Sequence, residues 1–323
     1  MARVSEIWII KIINGIIEFD RALDGLSLTV LEEFICSTAK YNWNIFLAAL
    51  LTSYISLQIF SIWLWPPARF NFNTIVKYFF EIPCIIDFVI FATAYFYLQN
   101  LGSRFEILNR FCKRLPDALI ITAGTWTQSK ITQLIENVRL LHAELCELLR
   151  VFNQGYGVLM LFYFVFNFFD LLRNFYYLLH ISRYSSSKII VNFTTLNIIL
   201  MATFCLQNIF FVILLLISVS WINKKKMEVV SFLRLIHISK LPFDTKLQIK
   251  MFMNQLSYFE WDQISAFGFF RMDLKYIISF FILLTAILAT SVQMKKHPYV
   301  VRFNNAYHSY LKLEYLNMHE YDV

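Results

Sequence analysis

Four charged residues interrupt otherwise apolar stretches of the sequence; one of them is Glu81, and the other three are candidate functional residues. Asp87 lies in the segment 78–98, and Asp170 and Arg173 lie near the end of the segment 151–180. A charge inside a bilayer is costly, so such residues face a cavity or a partner and mark functional sites. Asp170 and Arg173 are three residues apart on a predicted helix, so a local salt bridge explains that pair equally well.

A second set of polar residues shares one face of the last apolar segment. Ala286, Thr290, Gln293 and His297 recur at helical spacing. Small and hydroxyl side chains can line a water-filled path, and a ring of Gln amides can close it or coordinate an ion. Alternatively, Thr290 and Gln293 hydrogen-bond to neighbouring helices, as polar residues in membrane bundles do. The spacing alone leaves both interpretations open.

Composition indicates a membrane protein. Of the 323 residues 58% are apolar and 16% are charged, whereas a soluble domain has about 25% charged residues. With 34 Phe and 17 Tyr, the apolar surplus exceeds what one water-soluble core can bury. Glycine and proline are scarce, at 7 and 6 residues, which disfavours an all-β chain rich in turns. We therefore predict an all-α membrane protein.

Five segments are long and apolar enough to span a membrane, for which a helix needs about 20 residues. They are residues 45–65, 78–98, 151–180, 189–223 and 276–294. The fourth is longer than a bilayer requires, so we expect it to tilt or to project. The predicted fold is a polytopic helical bundle with five spans.

The basic residues predict the orientation of these spans. The segments 1–41, 99–150 and 224–272 carry 19 of the 29 Lys and Arg residues, whereas 66–77, 181–188 and 295–323 carry 8. Cytoplasmic loops are the more basic ones, so we expect the N-terminus in the cytoplasm and the C-terminus outside. The sequon at Asn192 then lies near the outer face.

The predicted inner segments continue the membrane helices. Leu101, Phe105, Leu108 and Cys112 recur at steps of four and three residues, and residues 131–152 carry a similar stripe. Such spacing is typical of an amphipathic helix. The three inner segments are expected to form a helical anchor, packed either between subunits or within one subunit.

Several function classes are disfavoured. The net charge of +7 does not indicate nucleic-acid binding, because the basic residues lie between apolar runs. The five cysteines are scattered without metal-ligand spacing, and we expect no metal and no cofactor. His142 stands alone, without the partners of a catalytic set, so we expect no enzyme. A G-protein-coupled receptor would place its N-terminus outside.

Two motifs resemble those of insect gustatory receptors, a family of the insect chemoreceptor superfamily. The first is similar to that family's pattern of a His, a Leu-Cys pair, an Asn and an aromatic-Gly pair; its residues are His142, Leu145, Cys146, Asn153 and Gly157. The second resembles the stretch before the family's last helix; its residues are Gly268, Phe269, Phe270 and Asp273. The five spans resemble helices three to seven of a seven-helix body, with the first two missing.

This resemblance implies a taste receptor subunit of a ligand-gated cation channel in the plasma membrane. Its partners would be a small-molecule tastant, membrane lipid and further subunits in a homo- or hetero-tetramer whose last helices line the pore. The pore interpretation of the last segment is then favoured, with Ala286, Thr290, Gln293 and Met294 as pore or gate residues. Of the family's signature in this helix only Gln293 is retained.

The family binds its ligand in the outer half of a pocket between these helices. Aromatic faces would stack on a sugar ring or a hydrophobic bitter compound, and polar groups would orient it. The residues expected near that level are Trp63, Trp65, Asp87, Asp170, Arg173, Asn174, Tyr177 and Gln207. For each Trp alone, an interfacial anchor is the simpler explanation.

The expected organisation follows from these assignments. It comprises an amphipathic segment at 1–41, two membrane helices in 42–98, an anchor at 99–150, two membrane helices in 151–223, an anchor and pre-pore helix at 224–272, the pore-lining helix at 273–294 and an extracellular tail at 295–323. The basic residues Lys295 and Lys296 would repel cations at the outer end of that helix. The alternative function is therefore a non-conducting structural relative of the receptors.

Overall fold

The fold is built from long helices that follow the apolar runs of the sequence. The computed structural model describes residues 2–30, 43–64, 72, 82–121, 128–181, 188–235, 241–260 and 264–294. Within these residues the helices are α1 (Ala2–Val30), α2 (Trp43–Leu64), α3 (Ile82–Ile121), α4 (Gln128–Ile181), α5 (Lys188–Leu235), α6 (Phe243–Glu260) and α7 (Leu274–Met294). Two short antiparallel strands, β1 (Ser265–Ala266) and β2 (Phe270–Arg271), precede α7.

Four helices are long and apolar enough to cross a membrane. The portions that qualify are Trp43–Leu64, Ile85–Lys113, Ser129–Tyr176 and Thr195–Arg234. Each overlaps one of the first four predicted spans, although the bounds differ, and residues 78–81 lie outside the described chain. The fifth predicted span corresponds to α7, whose apolar portion Leu274–Thr290 is shorter. The predicted all-α membrane bundle is confirmed.

Helices α4 and α5 extend well beyond any bilayer. They contain 54 and 48 residues, which at 1.5 Å per residue is about 80 and about 70 Å, whereas the hydrocarbon core is about 30 Å thick. The stripe predicted on α3 is buried at Leu101, Phe105, Leu108 and Cys112. The matching stripe of α4 is buried at Leu134, Val138, Leu141, Leu145, Leu148 and Phe152.

Helix α4 is the centre of the bundle. Helices α1, α3, α5, α6 and α7 and strand β1 all pack against it, whereas α2 packs mainly against α5. Helix α1 is tied to α3 by Arg104, whose Nε and Nη2 donate to the two carboxylate oxygens of Asp20 at 2.9 and 2.6 Å. A two-point guanidinium contact fixes direction as well as charge, so it sets the register of α1.

A buried polar cluster joins α3, α4, α5 and α6. Lys226 is 2% exposed, and its Nζ donates to the carbonyl oxygen of Phe259 at the end of α6, 2.9 Å away. An ammonium group there satisfies a carbonyl at a helix C-terminus. Nε2 of His142 lies 3.1 Å from the carbonyl oxygen of Lys226, and Asn109 donates to the carbonyl oxygen of Lys225 at 2.7 Å. We call these residues the lysine cluster.

His142 acts in this cluster as a neutral packing residue. Because a carbonyl oxygen only accepts, Nε2 carries the ring proton, and Nδ1 accepts from the thiol of Cys146, 3.6 Å away. The ring is fully buried and makes edge contacts with Phe105 of α3 and Phe252 of α6. One side chain of α4 thus contacts three neighbouring helices.

The lysine cluster yields a test of the fold. Replacing Lys226 by Met keeps the apolar stem but leaves the buried carbonyl of Phe259 without its donor. Such a loss costs about 2 kcal/mol of the free energy of unfolding. Lys224 is exposed on the same helix, so Lys224→Met is the matched control and should change stability by less than about 0.5 kcal/mol. Thermal unfolding of the purified protein in detergent measures both, and equal stabilities would contradict the assignment.

Candidate functional site

A polar cluster lies in the half of the bundle where α3 and α5 begin and α4 ends. The carboxylate of Asp170 accepts from Arg173, from Asn174 at 3.1 Å and from Asn208 of α5 at 2.9 Å. The Arg173 contact is the local salt bridge that the spacing allowed. Asn174 is buried and lies beside Cys205 of α5. Asp170 therefore joins α4 to α5 as well as pairing within its own helix.

Asp87 adds a second carboxylate to this cluster from α3. It interacts electrostatically with Asp170 and with Tyr163 of α4. Tyr163 is 1% exposed, and its hydroxyl has no hydrogen-bond partner among the described residues. No described side chain forms an ion pair or hydrogen bond with Asp87, which is half-buried. We refer to Asp87, Tyr163, Asp170, Asn174 and Asn208 as the outer polar cluster, after the outer position that the sequence predicts for Asp87, Asp170 and Asn174.

An open cleft of about 600 Å³ lies between α2 and α5, and none of the five residues of the outer polar cluster lines it. Its walls are mostly apolar and include Phe211, whose ring stacks on Phe91 of α3 at 4.3 Å between centroids. Ser53 of α2 and Gln207 of α5 are among its few polar lining residues. A concave apolar surface with a few polar groups is typical of a small-molecule site.

The predicted ligand residues are only partly brought together. Asp87, Asp170, Arg173 and Asn174 meet in or beside the outer polar cluster, and Gln207 lines the cleft. Trp63 is 65% exposed, stacks on Phe60 of its own helix and is absent from the cleft lining. Trp65 lies outside the described residues, and only the helical backbone is described at Tyr177 and Asn192.

Helix α7 has two different faces. Phe280 and Leu284 are buried against Leu171 of α4 and Cys205 of α5. The face carrying Ala286, Thr290 and Gln293 is exposed; the side chain of Met294, like His297, lies outside what is described.

The hydroxyl of Thr290 bonds within its own helix. It donates to the carbonyl oxygen of Ala286 at 2.8 Å, which satisfies it without a neighbouring helix. Three of the four predicted pore residues, Ala286, Thr290 and Gln293, therefore lie on an exposed surface of the subunit.

A hairpin connects α6 to α7, and the second sequence motif forms it. Gly268 has φ +79°, a left-handed conformation that glycine adopts without a Cβ penalty. Phe270 stacks on Tyr276 with centroids 4.3 Å apart, whereas Phe269 is exposed. Asp273 is the N-cap of α7, since its Oδ1 accepts from the backbone N–H of Tyr276 at 3.1 Å.

The first motif holds this hairpin on α4. Oδ1 of Asn153 accepts from the backbone N–H of Ser265 at 3.0 Å, and the hydroxyl of Ser265 accepts from the N–H of Gly268 at 3.1 Å. Gly157 allows the close approach, because a Cβ there would lie 3.1 Å from the backbone nitrogen of Phe267. Two motifs that are far apart in sequence thus meet at one point.

Sequence reasoning missed three residues of these sites. Asn208 was not predicted, although a second polar residue beside Gln207 in an apolar run was an available signal. Tyr163 lies in a Phe-rich run, and nothing in the sequence distinguishes its hydroxyl. Lys226 belongs to a run of three lysines that resembles a solvated basic segment.

Comparison with known proteins agrees with the resemblance found in the sequence. The chain matches a family model described as the 7tm chemosensory receptor over residues 9–297. That range contains both motifs, the outer polar cluster and the exposed face of α7. No curated protein gives a significant match. The family is one of receptors and not of enzymes. The chain therefore belongs to the 7tm chemosensory receptor family and is a multi-pass membrane chemoreceptor.

Proposed function

We propose that this chemoreceptor is a subunit of a ligand-gated cation channel that detects a small-molecule tastant. Four subunits, identical or mixed, assemble in the plasma membrane with α7 of each facing a central pore. The N-terminus is cytoplasmic and the C-terminus is extracellular, in keeping with the distribution of basic residues.

The two-faced character of α7 carries this proposal. Phe280 and Leu284 on its buried face pack against α4 and α5, while Ala286, Thr290 and Gln293 are exposed. A small residue, a hydroxyl and an amide on a free helix face suit a water-filled axis better than lipid. The back-bonded Thr290 hydroxyl argues against the alternative that this residue binds a neighbouring helix of the same subunit.

The ligand site of the proposal is the outer polar cluster with the adjoining cleft. Leu171 and Cys205, which contact α7, are the neighbours of Asp170 and Asn174 in the cluster. A ligand that shifts α4 against α5 therefore acts on the surface that supports α7. The hairpin held by Asn153 transmits the same shift to the beginning of α7.

The pore assignment is tested at Gln293. We expect Gln293→Ala to change the ligand-evoked current or its cation selectivity, because the substitution removes the ring of Gln293 side-chain amides that the four subunits place around the pore. The measurement is electrophysiology of the receptor expressed alone and with partner subunits. An unchanged current in this variant would refute the assignment, and no current in any variant despite normal surface expression would favour the non-conducting alternative.

Accessibility gives an independent check of the same face. Thr290→Cys should react with a water-soluble thiol reagent and reduce the current. Leu284→Cys lies on the buried face of the same helix and is the matched control, so it should react slowly. Equal reaction at both positions would contradict a pore-facing Thr290.

The hairpin contact generates another prediction. In Asn153→Leu the backbone N–H of Ser265 loses its acceptor at a cost of about 1.4 kcal/mol, so amide hydrogen exchange in residues 264–272 should become about tenfold faster. The neighbouring Gln154 is exposed, and Gln154→Leu should leave exchange unchanged. If exchange in the hairpin is the same in both variants, Asn153 does not hold it.

A further inference from the structure

Among the described residues, the outer polar cluster contains more carboxyl groups than cations. Asp87 and Asp170 are two carboxylates, and Arg173 is the one cation paired with them among the described residues. The Arg173 side chain is 76% exposed, and its guanidinium pairs with Asp170. Asp170 also accepts from two amides. The Asp170 carboxylate is therefore fully paired, whereas the Asp87 carboxyl group has no hydrogen-bond or ion-pair partner among the described residues.

The surroundings of Asp87 provide the other requirements of a ligand site. The Tyr163 hydroxyl is buried beside it without a partner, and a buried hydroxyl left unpaired is costly until something bonds to it. Phe91 lies one turn along α3 from Asp87 and stacks on Phe211. Phe91 is fully buried and also stacks on Tyr95, so these rings form an apolar wall one helical turn from the carboxyl group.

We propose that this site selects a positively charged ligand, a protonated aralkyl amine. Its ammonium group pairs with Asp87 and donates a hydrogen bond to the hydroxyl of Tyr163, and its apolar part extends along the aromatic rings toward the cleft. The inference rests on the proposed ligand-binding role of the same cluster. It narrows the ligand from any small tastant to a cation, because only a cation can form an ion pair with the Asp87 carboxylate.

The test compares two probes that differ in charge and share an aromatic group: phenethylammonium and phenethyl alcohol. Equilibrium binding of each is measured to the purified full-length protein in lipid nanodiscs at neutral pH. We expect phenethylammonium to bind at least about tenfold more tightly, a difference of about 1.4 kcal/mol. In Asp87→Asn this preference should disappear while the weaker binding of the alcohol persists.

Three further variants keep the result interpretable. Asp244 is exposed on α6, remote in sequence from the cluster, so Asp244→Asn removes one carboxylate elsewhere and should retain the preference. Tyr163→Phe removes a hydroxyl without a described partner, so it should fold normally and weaken the binding of phenethylammonium. Should Asp87→Asn not fold, Asp87→Glu retains the charge and should retain the preference.

The outcomes separate this inference from the proposed channel. Equal binding of the two probes by the wild-type protein, no binding of phenethylammonium, or an unchanged preference in Asp87→Asn would each overturn the cation site. Binding that depends on Asp87 but evokes no current would support the site while counting against the channel. Gln293→Ala should leave this binding unaltered, which distinguishes the site from ammonium ions entering a pore.

Discussion

One continuous apolar stripe along α4 holds the molecule together. It runs from Leu134 through Phe152 to Leu171 without a break in the helix, and five other helices and a strand pack against this helix. Because the helix is unbroken, the outer polar cluster at Asp170 and the hairpin contact at Asn153 lie on one rod, about 25 Å apart at 1.5 Å per residue. The position of each site is thereby fixed relative to the other.

The helices could be predicted because hydrophobic periodicity is a local property of the chain. The stripe of α3 from Leu101 to Cys112 has helical spacing in the sequence and is buried in the structure. The motif containing His142 and Asn153 was also recognisable. The packing role of His142 in this motif could not be predicted, because its contact partners belong to α3, α5 and α6. A motif names the residues, and the packing of distant segments determines their contacts.

The environment of each polar residue depended on tertiary contacts that no local pattern contains. Three consecutive lysines of α5 illustrate this: Lys224 is exposed, Lys225 pairs with Glu228 at 2.9 Å, and Lys226 is buried. Successive residues on a helix point about 100° apart, so only one of them can reach the end of α6. Which one does so depends on where α6 ends, and Phe259 is 33 residues away in sequence. The hydrogen bond from Asn208 to Asp170 likewise depends on how α5 packs against α4, since the two residues are 38 positions apart in sequence.

The buried Lys226 restricts how α5 can move. Rolling the helix about its own axis would withdraw the ammonium group from the carbonyl of Phe259 and would turn the Lys225 carbonyl away from Asn109. Nearer the middle of α5, the amide of Asn208 links the helix to Asp170 of α4. These contacts therefore oppose rotation of α5 about its own axis. Bending of the helix away from Lys226 would leave them in place.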